Sequence, residues 1–394
     1  MIYDFDKVYD RRKYFSSKWA VKEVFGREDI IPMWVADMDF PVAQPILDAI
    51  FERAEHPIFG YTMIPPGVYE SIIERLDRKF GWKVEKEWIM ITPGVMPAVN
   101  AGVIALTEPD DLVVLQSPVY PPFWGTIEGN ERKTGVNRLK LIDNRYEIDF
   151  DDLEKQFKVD GAKALILCSP HNPGGRVWSK EELVKMGDIV IDSGGVVISD
   201  EIHCELLLKG YEHIPFASIN EKFAMNSIIC FAPSKTFNIP GFHASVAIIP
   251  NEKIRDEFNK TRQGLMGSPG IFGLVAMEAA FRYGDEWLEQ VLEYIEENVD
   301  YAISYIESNI PGIVPMRPEG TYLIWLDCRG LGLEPEELNE FFINEARVGL
   351  NAGATFGPEG EGFMRLNVGC PRSILTEGLD RIAQSVANLK GNAK

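Results

Sequence analysis

The chain has 394 residues, 45% of them hydrophobic, and a formal net charge of −20. That length suffices for two or three domains built around large cores. The charge argues against nucleic acid or an anionic membrane as a partner, though not against a small anionic ligand held by local positive charge.

Met1 to Lys22 is polar and charged with interspersed aromatics and reads as an arm. Ile31 to Pro41 is an extended apolar segment broken by Asp37 and Asp39, which reads as a strand and turn with solvated carboxylates. Pro45 to Arg53 reads as a short helix and Phe59-Gly60-Tyr61-Thr62 as a loop. Val68, Ile72, Ile73 and Leu76 keep a helical period through Phe80. Trp88 to Ile91 is a strand running into Thr92-Pro93-Gly94, and Val95 to Leu106 continues as an Ala-rich helix. Leu112 to Leu115, Ala164 to Cys168, Val196 to Ser199, Ile228 to Phe231 and Ala244 to Ile249 have the length and composition of buried strands. Between them fall helical stretches at Asp151 to Phe157 and Ser179 to Ile191, the latter opened by a Ser179/Glu182 capping box. Such alternation predicts a mostly parallel sheet with helices on both faces.

From Ile271 the chain turns helical, with one long amphipathic stripe from Leu288 to Ile306. Strands near Ile313, Tyr322 to Leu326 and Phe363 to Val368, with helices at Glu334 to Glu345 and Ser373 to Leu389, predict a smaller α+β domain. The expected division is 1–45 for the arm and part of the small domain, 46–285 for the large domain and 286–394 for the small one. The five cysteines, Cys168, Cys204, Cys230, Cys328 and Cys370, form no CxxC pair, which favours buried thiols in a reducing compartment. No apolar run reaches the ~18 residues of a membrane span, and no cationic leader opens the chain. The reading is a cytoplasmic protein.

Four chemical signals fall at strand ends, where ligands gather in α/β folds: Gly94, Asn172, Asp200 and Lys235. Each has a plain alternative: a turn glycine, an Asn-Pro turn, a helix cap, a surface lysine. Taken together they suit one ligand, pyridoxal phosphate. Lys235 would hold its aldehyde as a Schiff base and later move a Cα proton. Asp200 would keep the pyridine nitrogen protonated. Asn172 would donate to the phenolic oxygen, and Tyr120 could stack on the ring. The turn Gly94-Val95-Met96 opens a helix whose free amides and dipole suit a phosphate, to which Ser234 adds a hydroxyl.

In this order the motifs resemble the fold-type I pyridoxal phosphate enzymes of the class I/II aminotransferase superfamily, over nearly the whole chain. The resemblance rests on Asn172-Pro173-Gly174-Gly175, Asp200-Glu201, Ser234-Lys235 and Met364-Arg365-Leu366-Asn367. It implies the pyridoxal-phosphate-dependent transferase fold. It further implies that Arg365 binds the substrate α-carboxylate, with Asn172 beside it, and that Tyr61 reaches the phosphate of the neighbouring subunit in a homodimer with shared sites. Pro32 to Phe40, Ser117 to Phe123, Asp200-Glu201-Ile202-His203 and Ser234 to Asn238 resemble one branch, the cystathionine β-lyase-like carbon–sulfur lyases. Two positions depart from the usual aminotransferase pattern. His203 stands where a tyrosine contacts the phenolic oxygen, and His243 where an arginine binds the phosphate. His56, His171 and His213 show no zinc-ligand spacing, so no metal is expected. The expected activity is β-elimination from L-cystathionine or related cysteine conjugates, giving pyruvate, ammonia and a thiol. An amino-acid aminotransferase, which would use the same residues, is the alternative. A binding or regulatory protein on this fold is the third reading, against which the intact Lys235 argues.

Overall fold

The computed structural model describes residues 1–392. Its larger sheet has seven strands, which lie side by side as Ile89–Thr92, Ser245–Ile248, Ser227–Phe231, Val196–Asp200, Ala164–Cys168, Leu112–Ser117 and Lys133–Arg138. The last five run parallel, and Ser245–Ile248 is antiparallel to both its neighbours. The central strands are buried at almost every residue, as strands covered on both faces must be. Alternate side chains feed two cores. Leu115, Ile166, Ile198 and Ile228 pack with the helix Val95–Leu106 on one face. Val114, Leu165, Val197 and Ile229 join the larger core on the other. This is the period-two geometry of a strand.

A smaller sheet of four antiparallel strands orders Val314–Met316, Leu323–Asp327, Phe363–Asn367 and Asn351–Ala352. The long helices Asp285–Asn309 and Arg372–Asn392 pack on each other beside it. Ile31–Pro32 pairs in parallel with Val348–Gly349, so the N-terminal segment is joined to the C-terminal part of the chain. The capping box at Ser179 and Glu182 is formed. All five cysteines are buried and free. Among the described residues no helix is long and apolar enough to cross a membrane.

Two expectations are corrected. Asp37 and Asp39 are paired with cations of the arm, Asp39 buried and Asp37 only partly exposed, and within their segment only Ile31–Pro32 forms a strand. Asp39 is buried and bonds Lys18 Nζ at 2.6 Å, Arg11 Nη1 at 2.7 Å and Trp19 Nε1 at 2.9 Å. Arg11 also binds Asp37 through both terminal nitrogens. The polar arm accordingly carries a fully buried lysine, and its Phe5 is buried against Phe40 and Trp287. Charges that read as solvent-facing are here exchanged with one another.

Candidate functional site

The C-terminal ends of the parallel strands open into a cavity of about 630 Å³. The sheet brings there residues far apart in the chain: Asn172 after Ala164–Cys168, Asp200 at the end of Val196–Asp200, and Lys235 in the single turn Pro233–Thr236 after Ser227–Phe231. Gly94, Val95 and Met96 open the helix Val95–Leu106 at the same wall. Tyr120, His203, Ser234, His243 and Arg365 also line it.

Lys235 Nζ donates to the Ala36 carbonyl at 2.6 Å. Burial pulls the amine down to about 8, against the opposing pull of Asp37. Asp200 is driven the other way: burial raises its carboxyl to about 7, opposed by the Ile202 amide and by Lys235. The Ile202 amide bonds Asp200 Oδ1 at 3.0 Å, and among the described residues no other hydrogen bond reaches this carboxyl group. Behind it, Glu201 is buried and accepts from Ser199 Oγ and the Phe216 amide, with His213 Nε2 2.8 Å away. These bonds hold the turn that presents Asp200 and His203. His203 is buried, its Nδ1 has no partner among the described residues, and burial lowers its basicity to about 3.

Arg365 sits on the small-sheet strand Phe363–Asn367 and reaches across to the large sheet. Its Nη1 donates to Asn172 Oδ1 at 2.9 Å, and its Nη2 to the Trp34 carbonyl at 2.8 Å and Asn351 Oδ1 at 2.6 Å. Its Nε is buried without a partner among the described residues, and burial lowers the guanidinium to about 10. Only Asn172 Oδ1 is engaged by Arg365, so its amide nitrogen is left to donate elsewhere. Burial raises the Tyr120 phenol, which keeps it neutral.

The unspent groups make a consistent set. They comprise an amine, a lone carboxyl group, a spare amide donor, an unpaired imidazole nitrogen and the first turn of a helix, whose amides lack intrahelical acceptors. A substituted pyridine aldehyde carrying a phosphate fits them group for group. Tyr61 is the expected site residue that this chain does not bring to the cavity. It is fully exposed between the helices Gln44–Glu55 and Pro66–Phe80. Trp34 and Ala36, within the Pro32 to Phe40 stretch, and Asn351 also line or bond the site, with no individual role expected of them from the sequence. Ala36 acts through its carbonyl, which leaves no side-chain signal.

The family model "Aminotransferase class I and II" matches residues 28–382. Cystathionine beta-lyase PatB of Bacillus subtilis is 43% identical over 387 residues, which is 98% of this chain and all of that protein. The crystal structure of cystalysin from Treponema denticola, which contains a pyridoxal 5′-phosphate cofactor, superposes with a TM-score of 0.96 at 37% identity, covering 99% of this chain and all of that one. A PLP-bound C–S lyase from Staphylococcus hominis superposes at 0.92 with 32% identity, covering 98% of both chains.

Proposed function

This chain belongs to the class I and II aminotransferase family, and within it we propose a pyridoxal-phosphate-dependent carbon–sulfur β-lyase that cleaves L-cystathionine or related cysteine conjugates. The observation that carries the reading is the buried Lys235 amine, set with Asp200, Asn172 and Arg365 around one cavity, in a chain whose full-length relatives include a cystathionine beta-lyase and a C–S lyase.

Pyridoxal phosphate, when bound, supplies a carbonyl that captures the substrate amine and a ring that draws electrons from Cα. The chain's own residues do the rest. Lys235 would hold the cofactor through its amine. Once free it would take the Cα proton, and an amine brought down to about 8 is partly neutral, and so able to do this, near neutral pH. Asp200 would share its proton with the ring nitrogen, a role suited to a carboxyl group raised to about 7. Asn172 Oδ1 fixes Arg365, its spare amide would donate to the phenolic oxygen, and Arg365 would bind the α-carboxylate. His203, a neutral imidazole whose Nδ1 has no partner among the described residues, would be a further polar group for the phenolic oxygen. Gly94, Val95, Met96 and Ser234 line the cavity where the phosphate would be held, and Tyr120 would cover the ring. His243 is the remaining phosphate-side candidate. The Cβ–S bond breaks, and with one water the products are pyruvate, ammonia and the thiol, homocysteine in the case of cystathionine.

Assembly as a homodimer belongs to the same proposal. Exposed Ile58, Phe59, Tyr61 and Met63 form an apolar strip that a monomer would leave in water, and Tyr61 would serve the partner's phosphate. Fully active monomers in sedimentation would remove that part. Five buried free thiols suit a cytoplasmic setting.

The deciding assay is product formation from L-cystathionine with no oxo acid present. Continuous release of pyruvate and thiol supports the lyase. An enzyme that stops after one turnover, and resumes only when an oxo acid is added, is an aminotransferase.

A further inference from the structure

The small-sheet strands Asn351–Ala352 and Phe363–Asn367 are joined through a loop whose residues Gly353 to Gly360 line no part of the Lys235 cavity. The loop is closed at its base: a β-carbon on Gly353 would run into the Gly360 carbonyl, and one on Gly360 into that of Gly353. From there it reaches across to the large sheet. Gly357, at φ +124°, lies so close to Ser117 Oγ and the Trp124 ring that it has no room for a side chain. The Phe356 carbonyl accepts from the Val119 amide at 2.9 Å. Glu359 accepts from Ser117 Oγ through Oε2 and from Arg138 Nε through Oε1, the latter at 2.6 Å. Ser117 and Arg138 end the neighbouring strands Leu112–Ser117 and Lys133–Arg138, so one carboxylate ties the loop to two strands.

Burial decides which of these bonds does the holding. Arg138 keeps 68% of its side-chain surface exposed and Glu359 18%, and an ion pair so open contributes little. Ser117 is fully buried, and a hydroxyl that donates to a carboxylate makes a charge-assisted bond. Ser117 and Glu359 are therefore the clasp, and Arg138 supplements it. The clasped loop touches two groups of the site. The Arg365 guanidinium lies 5.0 Å from the centre of the Phe356 ring, and the face of an aromatic ring attracts such a cation most where water is excluded. A ring packed on the guanidinium also limits how far it can turn, and so where its unpartnered Nε points. Val119, bonded to the loop, immediately precedes Tyr120.

We infer that Glu359 is a positioning residue for recognition of the substrate α-carboxylate: by clasping the loop to Ser117 it holds Phe356 against Arg365 and sets the aim of the guanidinium before a substrate arrives. Glu359 touches neither substrate nor cofactor and acts through Arg365. The inference rests on the carboxylate-binding role proposed for Arg365 and adds to it the device that keeps that residue in place.

The test titrates the holoenzyme with L-alanine and with L-alaninamide and reads binding from the cofactor's absorption band. Both ligands carry the amine, only alanine has the carboxylate, and neither has a group to eliminate. The wild-type enzyme should bind alanine at least about tenfold more tightly than alaninamide. Glu359→Ala should lower that ratio about fivefold, with the loss confined to alanine. Glu359→Gln, which keeps an oxygen for Ser117, should restore most of it, and Arg138→Gln should change the ratio less than about twofold. Ser117→Ala breaks the same clasp from the other side; it should match Glu359→Ala, and it keeps the test valid if that variant does not fold. The Ser117→Ala/Glu359→Ala double variant should lose no more than either single one. An unchanged ratio, equal losses for both ligands, or losses that multiply in the double variant overturn the positioning role. A wild-type enzyme that does not distinguish the two ligands overturns the role of Arg365 and this inference with it, a result separate from any seen in the variants.

Discussion

Asp39 and Asp200 are both buried aspartates, at 5% and 4% exposure, each close to a lysine, and they behave in opposite ways. Burial alone would raise Asp39, yet Lys18 and Arg11 outweigh it and the net shift is downward. Asp200 meets the same penalty with one backbone donor and a more distant Lys235, and is pushed up to about 7. The arm cluster spends its charges on itself; the cavity keeps its charges unspent. A buried charge with its partners in the chain holds structure together. A buried charge whose partner must arrive from outside marks a site for chemistry.

The sharpest way to break that contrast is at Lys235. Lys235→Ala should lower turnover by at least ~10³-fold, because the amine serves both covalent attachment and proton transfer. The purified variant should also lack the absorption band that borohydride bleaches in the wild type. Near-normal turnover would mean that the unspent lysine is not the reactive group, and the contrast would lose its functional half.

The structural half is tested at Asp39. Asp39→Asn leaves Lys18 fully buried with its principal counter-charge gone and should cost about 3–5 kcal/mol of stability. Replacing both partners, Asp39→Leu with Lys18→Met, should recover most of that, since the penalty belongs to the orphaned charge more than to the lost pair. Chemical denaturation of the three proteins reads this directly. A double variant as unstable as the single one would show that the pair is needed for more than mutual neutralisation.

The same contrast explains what could be read from the sequence. Lys235, Asp200, Asn172 and Gly94 were legible because each follows a strand whose apolar run is unmistakable, and strand ends converge in an α/β fold. The four buried parallel strands, Leu112–Ser117, Ala164–Cys168, Val196–Asp200 and Ser227–Phe231, were legible for the same reason. The polar strand Lys133–Arg138 and the hairpin Lys140–Ile142/Arg145–Glu147 were not, since partly exposed strands carry no such run. Lys18, Asp37 and Asp39 were misread because a charged residue is solvated in most contexts, and its partner here lies about twenty residues away in sequence. Arg365 was placed by resemblance to a family. Its motif says nothing of the bond to Asn172, which exists only once the two sheets are brought together.

The smallest expected effect separates the two aspartates by pH. A carboxyl group raised above its unfolded value holds its proton longer in the folded state. Its contribution is then complete below the ordinary carboxylate range and is lost as pH rises toward about 7. Asp39, shifted downward, contributes at neutral pH and loses that contribution as pH falls. In the apoenzyme, Asp200 therefore opposes folding once it ionises, and Asp200→Asn removes that opposition while keeping an oxygen for the Ile202 amide. The variant apoenzyme should be more stable than wild type at pH 8 by on the order of 1 kcal/mol, less than the full shift implies because water entering the cavity screens the charge. The advantage should shrink to nothing near pH 4. Adding pyridoxal phosphate should reverse the order at pH 8, because the ring nitrogen then supplies the partner that the chain withholds, and only the aspartate can use it. A stability difference that ignores pH, or one that the cofactor leaves unreversed, would mean that Asp200 is held by the fold in the way Asp39 is.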